Sequence, residues 1–348
     1  MIAWCLLVVC EGAIPTLLDA DYHRRHLHSF AGSEFIKLAD VVVRESRDWL
    51  ALSAQTPRNG SLLVYLQTFC ALPDVGDLRN IVQPFRLFGP ISVWHRVNFG
   101  PFSHVEVPFT DNVHEARLAN KFAECKQPQQ PPTRTQLQML LDFELLESWQ
   151  VSQSSAVFHS KITPLPIGFG FEKHRMAGEP LDQYRDKMVR ILKQHNGAPR
   201  DRLLLVSFSD HREFFANSTH GNPRHTSLNA VLTSASLVEF SSPQHFDTDE
   251  AWLTALRRSK FVLSPPGWGP DCFRHYEAIA MGCVPIIHGD YIVSQILQGM
   301  PFLPLESWSV LRTGGADFLN SEYHRLLQRD YRLDRLFLDY WIEMLTSA

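Results

Sequence analysis

Short apolar runs alternate with amphipathic stretches along most of the chain. Runs of a length typical of buried strands occupy 62–66, 162–167, 203–208, 237–240, 261–263, 283–287 and 302–305. Helical periodicity predicts helices over 34–52, 77–82, 135–149, 181–195, 224–232, 249–259, 273–281 and 292–297, with two more amphipathic helices toward the end. Strands that alternate with helices predict parallel sheets covered by helices on both faces. The pattern therefore predicts an α/β protein.

The stretch 260–288 is the most informative, because it predicts a strand, a rigid turn, a helix and a second strand in succession. The turn contains Pro265, Pro266, Gly267, Gly269 and Pro270, so its backbone is stiff and can pass close to a ligand. Asp271 is predicted to cap the following helix. Gly282 is placed to end that helix.

Two cations, Arg274 and His275, fall in the first turn of this predicted helix. The helix N-terminus already carries partial positive charge and free N–H groups, so cations there are best tolerated beside a bound anion. Glu277 follows and is suited to a ribose hydroxyl pair. The alternative is a solvated ion pair between Arg274 and Glu277, which are three residues apart.

The residues Lys260-Phe-Val-Leu-Ser-Pro-Pro-Gly267, Cys272-Phe-Arg-His-Tyr-Glu-Ala-Ile279 and Gly282-Cys-Val-Pro-Ile-Ile287 resemble the hallmark of the exostosin family of glycosyltransferases. Upstream, Lys161-Ile-Thr-Pro-Leu-Pro-Ile-Gly168 is similar to a strand of that family, and 140–149 resembles the helix before it. The resemblance covers about residues 60–345. Trp268 stands where the family often has a basic residue.

The resemblance implies two Rossmann-like domains that face each other across a cleft, the GT-B arrangement. It implies an acceptor-side domain over 1–170, a donor domain over 171–330 and a C-terminal helix over 331–348 that returns toward the first domain. A length of 348 residues is also typical of about two domains. The Gly-containing stretch 168–180 is the predicted crossing between them.

The implied activity is transfer of a sugar, with inversion, from a nucleoside-diphosphate sugar, expected to be a UDP-sugar, to a hydroxyl of a glycan or glycoprotein. The predicted donor-binding residues are Arg224, Ser264, Gly267, Trp268, Gly269, Asp271, Arg274 and Glu277. Arg224 and Arg274 are the candidates for holding the diphosphate, and Trp268 for stacking on base or sugar. The alternatives are that Arg224 is an ordinary surface arginine and that Trp268 packs between loops.

An inverting transfer needs a base that accepts the proton of the acceptor hydroxyl. Asp111, His114 and Glu115 end the predicted acceptor loop, and Asp111 is the preferred candidate. An acidic loop residue is otherwise most often a turn former or a cap.

Two other classes of function stay open. A metal-dependent transferase could use the Asp-x-Asp pairs Asp19–Asp21 or Asp247–Asp249, although the second pair also fits an N-cap. A pattern this short arises readily by chance, so a divalent metal is not expected to be required. No tightly bound cofactor is expected, and the nucleoside-diphosphate sugar is the co-substrate. A non-catalytic relative could bind glycan or support a catalytic partner.

The net charge, the N-terminal apolar stretch and the family resemblance limit the expected partners and cellular location of the protein. The net charge of -4 argues against a nucleic-acid partner. The apolar stretch 2–10 is compatible with a weak signal peptide, the remnant of a membrane anchor or a first strand, and a strand or truncated leader is favoured. By resemblance the Golgi lumen is expected, and the sequence leaves homo- or hetero-oligomers open.

Overall fold

A computed structural model describes residues 14–19, 39–43, 52, 54–56, 62–66, 78–90, 139–152, 160–169, 180–208, 223–240, 245–266, 271–289 and 293–346. Within these residues the chain forms two sheets, both made of parallel strands. The predicted α/β class is therefore confirmed. No described helix has the length and apolar character needed to span a membrane.

The first sheet has five strands in the order of the sequence. They are β1 (Val41–Val43), β2 (Leu62–Leu66), β3 (Phe85–Pro90), β4 (Leu146–Ser152) and β5 (Ile162–Leu165). Every neighbouring pair runs parallel, with Leu62 opposite Phe85 and Trp149 opposite Ile162.

The second sheet has four parallel strands, also in the order of the sequence. They are β6 (Arg202–Val206), β7 (Ser259–Leu263), β8 (Val284–His288) and β9 (Leu303–Leu305). The helices of this half are α1 (Leu181–Gln194), α2 (Pro223–Leu232), α3 (Asp249–Arg258), α4 (Phe273–Ala280), α5 (Val293–Ile296), α6 (Ser309–Leu326) and α7 (Leu338–Thr346).

Helices cover both faces of the second sheet. Alternate residues of β7 point to opposite faces, so Val262 packs in one apolar cluster while Phe261 and Leu263 pack in the other. The Val262 cluster includes side chains of α1, α3 and α4, and the Phe261 cluster includes side chains of α2 and α6. Near-continuous apolar strands are what a parallel sheet buried on both faces requires.

Contacts also join the two halves of the chain. Leu165 and Phe169 pack in the same apolar cluster as Tyr276. The guanidinium of Arg86 on β3 donates a 2.9 Å hydrogen bond to the carbonyl of Leu345 on α7. The stretch 170–179 of the predicted crossing lies outside the described residues.

Three segments differ from the sequence predictions. Within the predicted helix 34–52, the described residues 41–43 form strand β1, which pairs with β2; three consecutive β-branched valines favour a strand. The predicted helix 135–149 is helical over 139–142, and from Leu146 the chain is strand β4. The predicted strand 237–240 is a short 3-10 helix, Val238–Phe240. Apolar runs of this length do not distinguish strand from helix by periodicity alone.

Candidate functional site

The candidate site lies at the carboxyl edge of β6 and β7. Phe208 follows β6 and Ser264 follows β7, and helices α2 and α4 begin after the two connecting loops. In open parallel sheets this edge is where ligands bind, because the following helices present their N-termini to it. The second sheet therefore offers two helix N-termini close to adjacent strand ends.

Two arginines converge at this edge on the ring of Phe208. The guanidinium carbon of Arg224 lies 5.9 Å from the ring centroid and that of Arg274 lies 5.6 Å from it. Arg224 opens α2 and is 7 % exposed. Its Nε donates to the carbonyl of Pro266 at 3.1 Å, which ties α2 to the turn after β7. Both arginines were predicted as donor-binding residues, and the fold brings them to one aromatic ring.

Arg274 also lies beside Ser264, another predicted donor-binding residue. Arg274 Nη1 donates to Ser264 Oγ at 3.4 Å, and the same nitrogen is 3.9 Å from Cys272 Sγ. Arg274 is half-buried, whereas the Ser264 side chain is buried. The arginine therefore keeps part of its surface in solvent while its tip is held over the strand end.

The start of α4 differs from the prediction. Its N-cap is Cys272, so the expectation that Asp271 caps the helix is wrong. Asp271 instead turns its carboxylate inward and is 2 % exposed. Oδ2 accepts hydrogen bonds from the backbone N–H of Ile167 at 2.8 Å and from the hydroxyl of Tyr276 at 2.6 Å. Asp271 thus joins the segment after β5 to the start of α4.

The sequence analysis expected His275 to lie beside an anion at the helix start, whereas the side chain is buried inside the protein at 0 % exposure. Its Nδ1 is 3.1 Å from Asp271 Oδ1, and its Nε2 is 3.3 Å from Cys272 Sγ. Burial opposes a charged imidazole, but Cys272 and Asp271 outweigh it and raise the pKa of His275 to about 10. The positive charge of His275 is therefore balanced by Asp271 and Cys272.

Glu277 points toward helices α1 and α3. Its Oε1 accepts from the hydroxyl of Tyr184 at 3.1 Å, and its Oε2 accepts from Trp252 Nε1 at 2.9 Å. Burial raises the pKa of Glu277, although Trp252, Tyr184 and Arg274 oppose the shift. Glu277 is half-buried, and each carboxylate oxygen keeps a second lone pair for a ligand hydroxyl.

The remaining predicted site residues lie outside the described part of the chain. These are Gly267, Trp268 and Gly269 in the turn after β7, and Asp111, His114 and Glu115 in the predicted acceptor loop. Their assignments stay predictions.

Among the residues that the structure describes, no group of three or more His, Cys, Asp or Glu side chains could hold a metal ion. Asp249 is 4 % exposed and lies 3.8 Å from Lys187 Nζ. The cap of α3 is Thr248, whose hydroxyl accepts from the N–H of Ala251, so the assignment of the cap to Asp247 or Asp249 is wrong. Asp19 Oδ2 accepts from the N–H and the hydroxyl of Thr16, and Asp21 lies outside the described residues.

Sequence reasoning missed Phe208 and Cys272. The sequence predicts Phe208 only as the last residue of the strand 203–208. Its contacts with Arg224 and Arg274 depend on tertiary structure, which hydrophobic periodicity does not report. Cys272 appears in the sequence analysis only as part of the motif 272–279, with no role of its own. The spacing Asp271-Cys272-x-x-His275 was the available signal, because residues three and four apart meet on one side of a helix.

One family model matches a part of the second half of the chain. Residues 224–320 match the family model described as the RXYLT1 C-terminal domain, a glycosyltransferase-related domain. The match spans less than a third of the chain, from Arg224 on α2 into α6. Among curated proteins none matches.

Two solved structures are similar at low levels. The apo structure of OtsA aligns with 86 % of this chain and 77 % of its own, at 10 % identity and a TM-score of 0.38. The pneumococcal O-GlcNAc transferase GtfA, solved in complex with UDP and GlcNAc, aligns with 86 % of this chain and 59 % of its own, at 12 % identity and a TM-score of 0.31. These scores are too low to transfer a residue or a ligand to this chain.

Proposed function

We propose that this protein is a glycosyltransferase and that the carboxyl edge of β6 and β7 binds the diphosphate of a nucleoside-diphosphate sugar. The observation that carries the proposal is the convergence of Arg224 and Arg274 on Phe208 at the starts of two helices. Guanidinium groups and helix N-termini are both suited to phosphate oxygens. The match to a glycosyltransferase-related domain over 224–320 includes both arginines and supports the same conclusion.

In this proposal, Arg274 stabilises the departing diphosphate. When the glycosidic bond to the donor breaks, negative charge grows on the leaving phosphate, and a cation already in position lowers the barrier. Ser264 helps to hold the Arg274 side chain at the strand end. Arg224 supports the site differently, because its Nε is engaged with the Pro266 carbonyl and fixes the start of the turn that faces the ligand.

Glu277 is proposed to bind the ribose hydroxyls through the free lone pairs of its carboxylate. Tyr184 and Trp252 hold the carboxylate in one orientation, so little entropy is lost when a ligand binds. Asp271 acts as a positioning residue, because its carboxylate contacts the Ile167 N–H and Tyr276. Gly267, Trp268 and Gly269 complete the proposed donor site, and Asp111 stays the proposed base, with a glycan hydroxyl as acceptor and a UDP-sugar as the first donor to test.

Turnover of nucleotide sugars tests the proposal. Release of nucleoside diphosphate is measured from a panel of nucleotide sugars, with and without a mixture of glycan acceptors. The wild type is expected to turn over one donor. Arg274→Ala is expected to lower the turnover rate by about a hundredfold or more, the loss typical of removing one group that stabilises a developing charge.

Arg258→Ala is the matched control. Arg258 is half-exposed and pairs with Asp201 at the opposite end of the second sheet, so its loss is expected to leave turnover unchanged. Equal turnover by wild type and Arg274→Ala would contradict the site assignment. Donor binding without transfer or hydrolysis would favour the alternative, a non-catalytic relative that binds glycan or supports a catalytic partner.

A further inference from the structure

Three side chains at the start of α4 form a continuous acid–imidazole–thiol array. Asp271 Oδ1 lies 3.1 Å from His275 Nδ1, and His275 Nε2 lies 3.3 Å from Cys272 Sγ. Asp271 and His275 are buried, whereas Cys272 is partly exposed. A buried imidazole oriented by a carboxylate and directed at a thiol is an arrangement that activates cysteine nucleophiles.

The hydrogen bonds favour a protonated imidazole. His275 Nδ1 has two neighbours, the Asp271 carboxylate at 3.1 Å and the backbone N–H of Cys272 at 3.3 Å. The Asp271 oxygen is the closer of the two and accepts, so Nδ1 carries a proton and donates it to Asp271. Nε2 is then left to donate its own proton to the sulfur, which stabilises the thiolate.

Arg274 adds a second positive charge beside the sulfur. Arg274 Nη1 lies 3.9 Å and Ser264 Oγ 3.7 Å from Cys272 Sγ. Burial alone would raise the pKa of the Cys272 thiol, and Asp271 opposes ionisation too. The charges of His275 and Arg274 outweigh both and lower that pKa to about 7. Cys272 also caps α4, where the helix dipole favours an anion.

The cysteine at the other end of the same helix is a natural comparison. Cys283 is 0 % exposed, and burial raises its pKa to about 12, although Arg200 opposes the shift. Two thiols eleven positions apart in sequence are therefore expected to differ strongly in reactivity.

We propose that Cys272 is a reactive thiolate and a site of modification by small disulfides, and that the adduct blocks the donor site. The thiolate attacks one sulfur of the disulfide, a new S–S bond forms to Cys272, and the other sulfur leaves as a thiolate. Cys272 is oxidised and the leaving sulfur is reduced. Because Cys272 Sγ is 3.9 Å from Arg274 Nη1, the added group occupies space beside the proposed diphosphate ligand. This second half of the inference rests on the proposed function.

The thiolate is tested without any nucleotide. Folded wild-type protein is pulse-labelled with iodoacetamide between pH 5.5 and 10, and labelling of the Cys272 and Cys283 peptides is measured by mass spectrometry. We expect Cys272 labelling to rise with a midpoint near pH 7, while Cys283 stays unlabelled. His275→Gln is expected to move the midpoint above about pH 8.5, the ordinary thiol range.

Denatured wild-type protein gives the reference midpoint, so the test does not depend on the folding of a variant. A midpoint for folded Cys272 equal to that of the denatured chain, or no labelling of Cys272 below pH 9, would overturn the proposal.

The effect on the donor site is tested with hydroxyethyl disulfide, a small uncharged disulfide. Treatment of wild type at pH 7.5 is expected to weaken UDP binding at least tenfold, and reduction with dithiothreitol to restore it. Cys272→Ser is expected to bind UDP before and after treatment, because serine is also a good N-cap.

If the Cys272 adduct binds UDP as tightly as untreated protein does, the inference is overturned. Absence of UDP binding by untreated protein would count against the proposed function, and the labelling midpoint would still decide whether Cys272 is a thiolate.

Discussion

Replacing Asp271 with asparagine is expected to destabilise the protein by about 2–4 kcal/mol, because it weakens buried hydrogen bonds to a charged group. The buried carboxylate accepts hydrogen bonds from the Ile167 N–H and the Tyr276 hydroxyl and faces His275 Nδ1. The amide oxygen of asparagine can still accept the first two hydrogen bonds. Each bond then contributes about 0.5–1.5 kcal/mol to stability, as between neutral groups, instead of about 1.5–3 kcal/mol, as to a charged group. The amide N–H₂ then faces the protonated Nδ1, so His275 must lose its charge or its partner.

The free energy of unfolding measured in urea, with tryptophan fluorescence as the signal, tests this prediction. Asp186→Asn is the matched control, because the Asp186 side chain is 70 % exposed and pairs only at the surface with Arg185. The control is expected to change the free energy of unfolding by less than about 0.5 kcal/mol. If Asp271→Asn costs no more than the control, the carboxylate does not join β5 to α4 as described.

Two further predictions concern the other end of α4. Gly282 (φ 69°) and Gly197 (φ 73°) are both left-handed, but a Cβ at Gly282 would lie 2.5 Å from Arg200 Nη2, whereas a Cβ at Gly197 meets nothing within 4 Å. Gly197→Ala should lower the free energy of unfolding by about 1–2 kcal/mol for backbone strain, and Gly282→Ala by about 1–3 kcal/mol more for overpacking. Equal unfolding midpoints in urea would show that Arg200 and Thr16, whose Cγ2 would lie 2.7 Å from the added Cβ, both move aside freely. Arg200 donates to four backbone carbonyls at the ends of α3 and α4, so Arg200→Ala should cost about 3–5 kcal/mol in the same assay. The exposed Arg258→Ala should cost less than about 1 kcal/mol, and a similar loss in the two variants would contradict this role.

Much of the second half of the fold could be predicted from the sequence, because its signals were local. The strand over 261–263 is short, apolar and followed by a proline-rich turn, and Gly282 ends α4 with a positive φ as expected. Once the strands are parallel, residues that follow neighbouring strands meet at one edge. That is why Arg224 and Arg274 could be named as a pair before their common contact with Phe208 was known.

Other parts could not be predicted, because they depend on tertiary contacts. The valines of β1 fit an apolar helical stripe as well as a strand, and pairing with β2 decides between them. Asp271 has the local chemistry of an N-cap, but Ile167, 104 positions earlier, supplies a donor that turns its carboxylate inward. The spacing of Asp271, Cys272 and His275 brings them to one side of a helix, but no sequence signal shows that His275 is buried, so its role needed the fold.

Binding of nucleoside diphosphates tests the central claim, that the carboxyl edge of β6 and β7 is a diphosphate site centred on Arg274. Thermal stability of wild type, Arg274→Ala and Arg258→Ala is measured against a panel of nucleoside diphosphates, with manganese and with a chelator. A ligand at 100 times its dissociation constant adds about 2.7 kcal/mol to the free energy of unfolding. The account predicts that one diphosphate stabilises wild type and Arg258→Ala equally in manganese and chelator, and that Arg274→Ala loses the effect. A full shift in Arg274→Ala, or none in wild type with any diphosphate, would contradict it.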